Sequence, residues 1–96
     1  MKVRWSEQAE GDLGDIVAYI WLDNPAAAYR IGDLLEAATG KLADFPRSGR
    51  QGEVSGTREL LPHPSYRIVY EIDGEEIIVL AVVHTARQWP PLGEAG

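Results

Sequence analysis

YRIVYEIDGEEIIVLAVVH, residues 66–84, is the stretch that decides the fold. Residues 66–72 and 75–84 are rich in β-branched and aromatic side chains, which is typical of strands. They flank Asp73-Gly74, the dipeptide that best fits a two-residue type I′ turn. The stretch therefore predicts a β-hairpin.

The predicted turn also assigns side chains to faces, since it pairs Ile72 with Glu75, Tyr70 with Ile77 and Arg67 with Leu80. One face is almost wholly apolar and is predicted to pack on the rest of the chain: Tyr66, Ile68, Tyr70, Ile72, Ile77, Val79, Ala81 and Val83. The other face is mixed: Arg67, Val69, Glu71, Glu76, Ile78, Leu80, Val82 and His84. Four apolar residues of this mixed face, Val69, Ile78, Leu80 and Val82, are predicted to form an exposed strip that a partner polypeptide covers.

Upstream of the hairpin, apolar spacing predicts two helices. Ser6 can cap a helix over residues 7–22, in which Ala9, Leu13, Ile16, Val17 and Ile20 share one face. Asn24 can cap a second helix that begins at Pro25 and ends before Pro46. The second helix carries a seam at every third or fourth position, which favours packing on the first helix: Ala28, Ile31, Leu35, Ala38, Leu42 and Phe45.

The remaining segments complete an α+β fold. Residues 2–5 predict a short strand, residues 46–56 a loop, and residues 57–61 a strand closed by Pro62-His63-Pro64. We expect one domain over residues 1–96, with an N-terminal strand, a helical hairpin and a three-stranded antiparallel sheet. The two helices are expected on one face of that sheet.

Composition narrows the function classes. The 96 residues have a net charge of −6 and no cysteine, which excludes disulfides, thiolate zinc sites and thiol nucleophiles. The acidic balance opposes direct binding to nucleic acid. No apolar run approaches the roughly 20 residues of a membrane span, and none follows Met1 as a leader would. We expect a cytoplasmic protein without a metal or cofactor.

Four residues could carry acid–base chemistry on RNA, where a base, an acid and a cation near the phosphorane are needed: Arg58, Arg67, His84 and Arg87. Each has a structural alternative. His84 could bond a loop at the end of its strand, Arg67 could pair with Glu71, Glu76 or a partner's carboxylate, and Arg58 could form an intrachain pair. Trp89 could stack on a base or cap the core.

Several phrases in chain order resemble the RelE/ParE superfamily of plasmid-stabilisation toxins, over about residues 3–90. They are Val3-Arg4-Trp5, Asn24-Pro25-Ala26-Ala27-Ala28, Phe45-Pro46-Arg47-Ser48-Gly49-Arg50, Gly56-Thr57-Arg58-Glu59-Leu60, Tyr66-Arg67-Ile68-Val69-Tyr70 and Val83-His84-Thr85-Ala86-Arg87-Gln88-Trp89-Pro90. The resemblance implies the toxin of a type II toxin–antitoxin pair, neutralised by a cognate antitoxin, with DNA bound only through that antitoxin.

The resemblance leaves the target open. ParE-like toxins poison DNA gyrase without hydrolysis, whereas RelE-like toxins cut messenger RNA on the ribosome. RelE-like enzymes typically have a tyrosine near the C-terminal end, where this chain has Trp89, and some relatives have an arginine where it has Thr85. These departures favour a toxin that poisons DNA gyrase. One alternative is a RelE-like endoribonuclease, whose catalytic residues would be Arg58, Arg67, His84 and Arg87. The other is a non-toxic relative that only binds an antitoxin. The predicted antitoxin- or target-binding residues are Arg67, Val69, Leu80, Val82 and Trp89.

Overall fold

A computed structural model describes residues 1–91. The elements in chain order are β1 (Lys2–Trp5), α1 (Glu7–Trp21), α2 (Pro25–Gly40), a 3-10 turn (Lys41–Ala43), β2 (Arg50–Gln51), β3 (Thr57–His63), β4 (Tyr66–Asp73) and β5 (Glu76–His84). The predicted α+β class, with its N-terminal strand, helical hairpin and following strands, is confirmed. The predicted domain runs on to residue 96, and its last five residues, 92–96, lie outside the described part.

Both predicted helix starts are confirmed. The Ser6 hydroxyl accepts a hydrogen bond from the Ala9 amide at 3.1 Å, and the Asn24 side-chain oxygen accepts one from the Ala27 amide at 3.1 Å. These bonds satisfy amides that have no partner inside their helices. Pro25 occupies the first turn of α2, where its missing N–H costs nothing.

The second helix ends earlier than predicted. Its α-helical part stops at Gly40, and the 3-10 turn then keeps Leu42 buried over the sheet. Glycine favours helix poorly, so a change to a tighter turn is cheap at this point. Phe45 is 65% exposed, and its predicted place in the helix seam is wrong.

The sheet has five strands in the order β1-β5-β4-β3-β2, whereas an N-terminal strand and a three-stranded antiparallel sheet were predicted. The first strand joins it by pairing parallel to β5. The segment predicted as a loop, 46–56, contains β2, which pairs antiparallel with β3 through Arg50 and Glu59. The third strand continues past Leu61 to His63, with an irregularity between Leu60 and His63 that accommodates Pro62.

The β4–β5 turn lies one residue later than predicted. Asp73 pairs with Glu76, so the two turn residues are Gly74 and Glu75. Gly74 has φ +61°, and no residue other than glycine has positive φ in the described chain. A positive φ at the first turn residue alone fits type II′, not the predicted type I′. The pairing moves by two positions, to Tyr70 with Val79, so the predicted faces survive in this half of the hairpin.

A β-bulge at Leu80 reverses the faces in the other half. Tyr70 pairs with Val79, but Val69 pairs with Ala81, which leaves Leu80 as the extra residue. Beyond the bulge, Val82 lies opposite Ile68 and His84 opposite Tyr66, on the face that packs on the helices. The prediction that Ala81 and Val83 face the helices is therefore wrong, as is the prediction that Val82 and His84 lie on the opposite face.

Polar groups of α1 satisfy the backbone of β5 near the bulge. The first strand ends at Trp5, and the Ser6 amide donates to the Val79 carbonyl at 2.9 Å. The Ser6 hydroxyl donates to the Leu80 carbonyl at 3.1 Å. The Val82 amide donates to the Asp12 carboxylate at 3.0 Å. The helix thus supplies the partners that a longer β1 would have supplied.

The core lies between the helices and the sheet. Its larger cluster joins both helices to β4 and β5: Ala9, Leu35, Ile68, Val79 and Val82. A smaller cluster, of Leu42, Tyr70 and Ile77, lies beneath the 3-10 turn. Within residues 1–91, neither helix is long and apolar enough to cross a membrane.

We expect Asp12→Ala to lower the free energy of unfolding by about 1–3 kcal/mol, because the part-buried Val82 amide would lose its acceptor. Urea denaturation followed by circular dichroism measures this loss. Asp15→Ala is the matched control, since it removes the same charge from an exposed position of α1. Equal midpoints for the two variants would contradict the role given to Asp12.

Candidate functional site

The face of the sheet opposite the helices, called the outer face here, carries a buried ion pair. The outer face is formed by Glu59 on β3 and by residues of the β4–β5 hairpin: Arg67, Val69, Ile78, Ala81 and Val83. The Arg67 guanidinium lies 3.3 Å from the Glu59 carboxylate, and Arg67 is only 9% exposed. Arg50 approaches the same carboxylate oxygen at 3.3 Å from the solvent side. One buried carboxylate therefore contacts two arginines of neighbouring strands, the buried Arg67 and the exposed Arg50.

The segment after β5 contacts this ion pair through a main-chain carbonyl. Arg67 Nη2 donates to the main-chain carbonyl of Arg87 at 2.7 Å. Its Nε is buried and has no hydrogen-bond partner among residues 1–91. Breaking the pair with Glu59 would leave an uncompensated charge, which is costly in a buried site. Arg67 is consequently committed to the protein's own structure, and neither Glu71 nor Glu76 is its ion-pair partner.

The predicted exposed apolar strip does not exist in the described chain. Val69 is fully buried, and Ile78 and Val82 are buried as well. Val82 does not belong to this strip, because the bulge places its side chain on the helix face, where it packs with Ala9 and Leu35. Leu80 alone stays half-buried. The prediction that four apolar residues would form an open strip is therefore wrong.

A loop between the 3-10 turn and β2 is fastened to the sheet by Tyr70. The Tyr70 hydroxyl donates to the Pro46 carbonyl at 2.8 Å and accepts from the Gly49 amide at 2.9 Å. Arg58 Nη1 donates to the Gly49 carbonyl at 2.8 Å and to the Arg47 carbonyl at 3.3 Å. An intrachain pair was the structural alternative predicted for Arg58, and its partners are the carbonyl groups of this loop.

Only glycine fits at position 49, because a side chain at this contact would collide with its neighbours. A Cβ atom there would lie 2.7 Å from the Tyr70 ring and 2.8 Å from the Glu59 carbonyl. Because the second neighbour is backbone, it cannot move aside as a flexible side chain would. The loop Pro46-Arg47-Ser48-Gly49 thus packs on Tyr70, and this contact explains the glycine at its end.

His84 lies at the far end of the helix face, in a row with two other rings. Its ring centroid is 5.6 Å from that of Tyr66, and the His63 centroid is 5.7 Å from Tyr66 on the other side. The His84 Nδ1 accepts from the Ala86 amide at 3.0 Å, and the His63 Nδ1 accepts from the Ser65 amide at 3.0 Å. Each imidazole therefore closes the turn that follows it, and each Nε2 is not used by these bonds.

The four residues predicted for acid–base chemistry do not meet in one cleft. Arg67 is buried on the outer face, while His84 is exposed and faces the helix side. Arg58 lies opposite Tyr70, and His84 lies opposite Tyr66, four residues away along β4. Arg87 is exposed and Trp89 is half-buried, both in the segment after β5. Arg58 and Arg47 share instead a groove of about 390 Å³ with the glycine-rich stretch 52–56.

Two residues have roles at this site that the sequence pattern did not predict. Glu59 was considered only as a neighbour of Arg58, and Tyr70 only as an apolar core residue. Alternation along Thr57-Arg58-Glu59 places Glu59 on the face opposite that of Arg58, and the β3–β4 register then brings it beside Arg67. Within residues 1–91, no three histidine or carboxylate side chains gather as metal ligands.

Comparison with known proteins gives a consistent result. The family model of the ParE toxin of type II toxin–antitoxin systems, parDE, matches residues 3–89. A candidate toxin of Sinorhizobium fredii, Y4kP, is 40% identical over 90 residues, which cover 93% of this chain and 93% of that protein. Toxin RelE2 of Caulobacter vibrioides is 34% identical over 86 residues, covering 90% of this chain and 97% of that toxin.

The fold has solved counterparts. A chain from the chromosomal ParDE system of P. aeruginosa superposes with a TM-score of 0.79 at 24% identity, and the match covers 88% of this chain and 95% of that one. The YoeB/ParE toxin from Agrobacterium tumefaciens superposes with a TM-score of 0.62 at 17% identity, covering 88% and 98%. At these identities the likeness shows a shared fold.

We expect Glu59→Ala to destabilise the fold by about 3–5 kcal/mol, because Arg67 would remain buried without a counter-charge. Arg50→Ala, which removes the exposed partner of the same carboxylate, should cost less than about 1 kcal/mol. Urea unfolding curves of both variants measure the difference. A Glu59 variant as stable as the Arg50 variant would show that the ion pair is not structural.

We expect Tyr70→Phe to cost about 1–3 kcal/mol, since the buried Gly49 amide would lose its acceptor. Tyr66→Phe is the control on the same strand and face. Thermal unfolding followed by circular dichroism compares the two, and a larger loss at Tyr66 would contradict the docking role of Tyr70.

Proposed function

Since the chain belongs to the ParE toxin family of type II toxin–antitoxin systems, we propose that it acts in the cytoplasm by binding DNA gyrase, without cleaving RNA. A cognate antitoxin neutralises it. The observation that supports this proposal most is that the Arg67 and Arg58 side chains are bonded to groups of this protein: Arg67 to the Glu59 carboxylate and Arg58 to loop carbonyls. Binding needs a surface, whereas cleavage needs acid, base and cation within hydrogen-bond reach of one phosphate.

Arg67 is the strongest argument against RNA cleavage. Its guanidinium is buried, paired with Glu59 and bonded to the Arg87 carbonyl. A phosphate could reach it only after these contacts break. The charge that a cleavage site would direct at the phosphorane is therefore neutralised within the fold.

The acid–base candidate His84 is also separated from Arg67 and Arg58, whereas Arg87 lies near it, since the Arg87 amide donates to the His84 carbonyl at 2.9 Å. His84 and Arg67 lie on opposite faces of the sheet because the bulge at Leu80 reverses the side-chain alternation of β5. Arg58 holds the loop carbonyls of Arg47 and Gly49. The tyrosine that RelE-like enzymes have near the C-terminal end is replaced here by Trp89. These features support a toxin that acts by binding.

An antitoxin partner is supported by the family. The similar P. aeruginosa chain comes from a ParDE toxin–antitoxin system, and the family model describes a toxin of such a pair. With a net charge of −6, the toxin itself is repelled by DNA, so the complex would bind DNA through the antitoxin.

A RelE-like ribonuclease is the second candidate. The similar proteins RelE1 and RelE2 of Caulobacter vibrioides are named after that branch, and His84 and Arg87 are exposed. A chain that has lost toxicity and only binds antitoxin is the third. Each of the three gives a different phenotype when the chain is produced without its partner.

We expect cells that produce this chain alone to filament and to induce the DNA-damage response, because a gyrase poison leaves broken DNA. Purified toxin should inhibit supercoiling of relaxed plasmid by gyrase, and addition of the antitoxin should restore it. Immediate arrest of translation, with messenger RNA cut on ribosomes and gyrase unaffected, would establish the RelE-like reading instead. Normal growth with folded protein would establish the non-toxic one.

His84→Ala separates the two toxic readings in one strain. A gyrase-binding toxin should remain toxic, because this variant removes no buried charge, and a ribonuclease that uses His84 should lose activity. Folding of the variant is checked by its unfolding midpoint. Loss of toxicity in a folded His84→Ala protein would count against the proposal.

A further inference from the structure

The end of the helical hairpin exposes a group of large apolar side chains, called the hairpin tip here. They are Tyr19 (78% exposed), Trp21 (45%), Leu22 (85%) and Tyr29 (62%). Exposures this high mean that the rest of the described chain does not shelter the tip. Together the four side chains expose roughly 500 Å², if a whole large side chain offers about 200 Å². The largest apolar patch of a soluble monomer is about 300–600 Å² and often marks a binding site.

The hairpin tip is ordered before any partner binds. The rings of Trp21 and Tyr29 meet edge to face, with centroids 5.4 Å apart and planes at 87°. The backbone between the helices is fixed as well, since the Asp23 and Asn24 amides both donate to the Ile20 carbonyl, at 3.0 and 2.8 Å. Aromatic side chains held in this way lose little conformational freedom on binding. Tyrosine and tryptophan are also the residues that most often anchor protein interfaces.

The negative charge of the chain is concentrated on the same hairpin. Residues 7–40 contain seven carboxylates and one cation, Arg30, which gives a net charge of −6, equal to that of the whole chain. Two of these carboxylates, Asp15 and Asp23, lie four residues before and four residues after Tyr19. Both are exposed, and neither forms an ion pair within residues 1–91. The tip thus combines apolar anchors with negative charge that has no counter-charge.

We propose that the hairpin tip is the surface through which this chain binds gyrase. Its place of binding is a pocket of gyrase with an apolar floor and with lysine or arginine side chains at the rim. Tyr19 and Leu22 enter this pocket, and Asp15 and Asp23 meet the cations. An enzyme that holds DNA presents cationic surfaces to the phosphate backbone, and an acidic hairpin is attracted to such surfaces. The identity of the partner as gyrase rests on the proposed function.

Shape, charge and size argue against other occupants of the tip. A second copy of this chain would bring a hairpin with the same net charge of −6, and like charges oppose such a dimer. Two projecting tips also cannot enclose each other. An antitoxin has to hold the toxin in a lasting complex, in which each partner buries about 800 Å². The roughly 500 Å² of the tip fits a shorter-lived contact with a target.

The first test compares two pairs of exposed apolar residues. Tyr19→Ser with Leu22→Ser removes apolar surface from the tip, whereas Phe45→Ser with Leu61→Ser removes it elsewhere, from positions 65% and 57% exposed. Binding to purified gyrase is measured by biolayer interferometry, and circular dichroism checks folding. We expect the tip variant to bind gyrase at least about tenfold more weakly and the control less than about threefold more weakly. Affinity for the antitoxin should stay within about threefold in both.

Charge reversal tests the rim of the pocket independently. Asp15→Lys with Asp23→Lys is compared with Asp44→Lys and Glu75→Lys, which change the net charge equally at exposed positions outside residues 7–40. Added salt should weaken binding of the wild-type chain to gyrase, because it screens the attraction. The Asp15 and Asp23 variant should bind at least about tenfold more weakly and lose this salt dependence, and the control should lose less than about threefold.

Other results would overturn the proposal. They are unchanged binding of gyrase by both tip variants, an equal loss in the controls, or tip variants that lose the antitoxin and keep gyrase, which would assign the tip to the antitoxin. A wild-type dimer in solution that the tip variants dissociate would assign it to a second copy. A wild-type chain that does not bind gyrase would contradict the proposed function itself, whereas binding that is indifferent to the tip would contradict this inference alone.

Discussion

The bulge at Leu80 is the constraint on which the rest of the arrangement depends. It inserts one residue into β5, so that Val82 and His84 turn towards the helices while Ala81 and Val83 turn away. The core gains Val82 from this change, packed with Ala9 and Leu35. The outer face receives small or half-buried side chains opposite Val69 and Arg67. The Asp12 carboxylate, reaching from α1 to the Val82 amide, satisfies the backbone beyond the extra residue.

The helices could be predicted from the sequence because their determinants are local. Ser6, Asn24 and Pro25 mark helix starts through backbone amides a few residues away, and periodic apolar residues define one buried face. The α+β class followed from the same patterns. The bulge could not be predicted, since Ile77 to Val83 is apolar at every position and either alternation would bury apolar side chains. The short β2 strand could not be predicted for another reason: its two residues are too few to show a periodic pattern.

The candidate site was predicted less well than the fold for two physical reasons: the bulge, which moves Val82 and His84 to the helix face, and the register between β3 and β4. Arginine on a mixed sheet face suggests a surface that is open to a partner. The pairing of Arg67 with Glu59 depends on which residues of β3 and β4 stand opposite each other, and a strand pattern does not specify that register. A buried pair of this kind makes Arg67 part of the scaffold. Within residues 1–91, the surfaces open to partners include the exposed end near His84 and the arginine-lined groove beside residues 52–56.

Cross-strand contacts in β5, observed by nuclear Overhauser effects in solution, test this account most directly. With the bulge, the Val82 methyl groups lie close to Ala9, Leu35 and Ile68, and the His84 ring lies close to Tyr66. A regular strand would instead bring Ala81 and Val83 to the helices and leave Val82 on the face of Arg67. The account predicts the first set of contacts, and observation of the second set would contradict it.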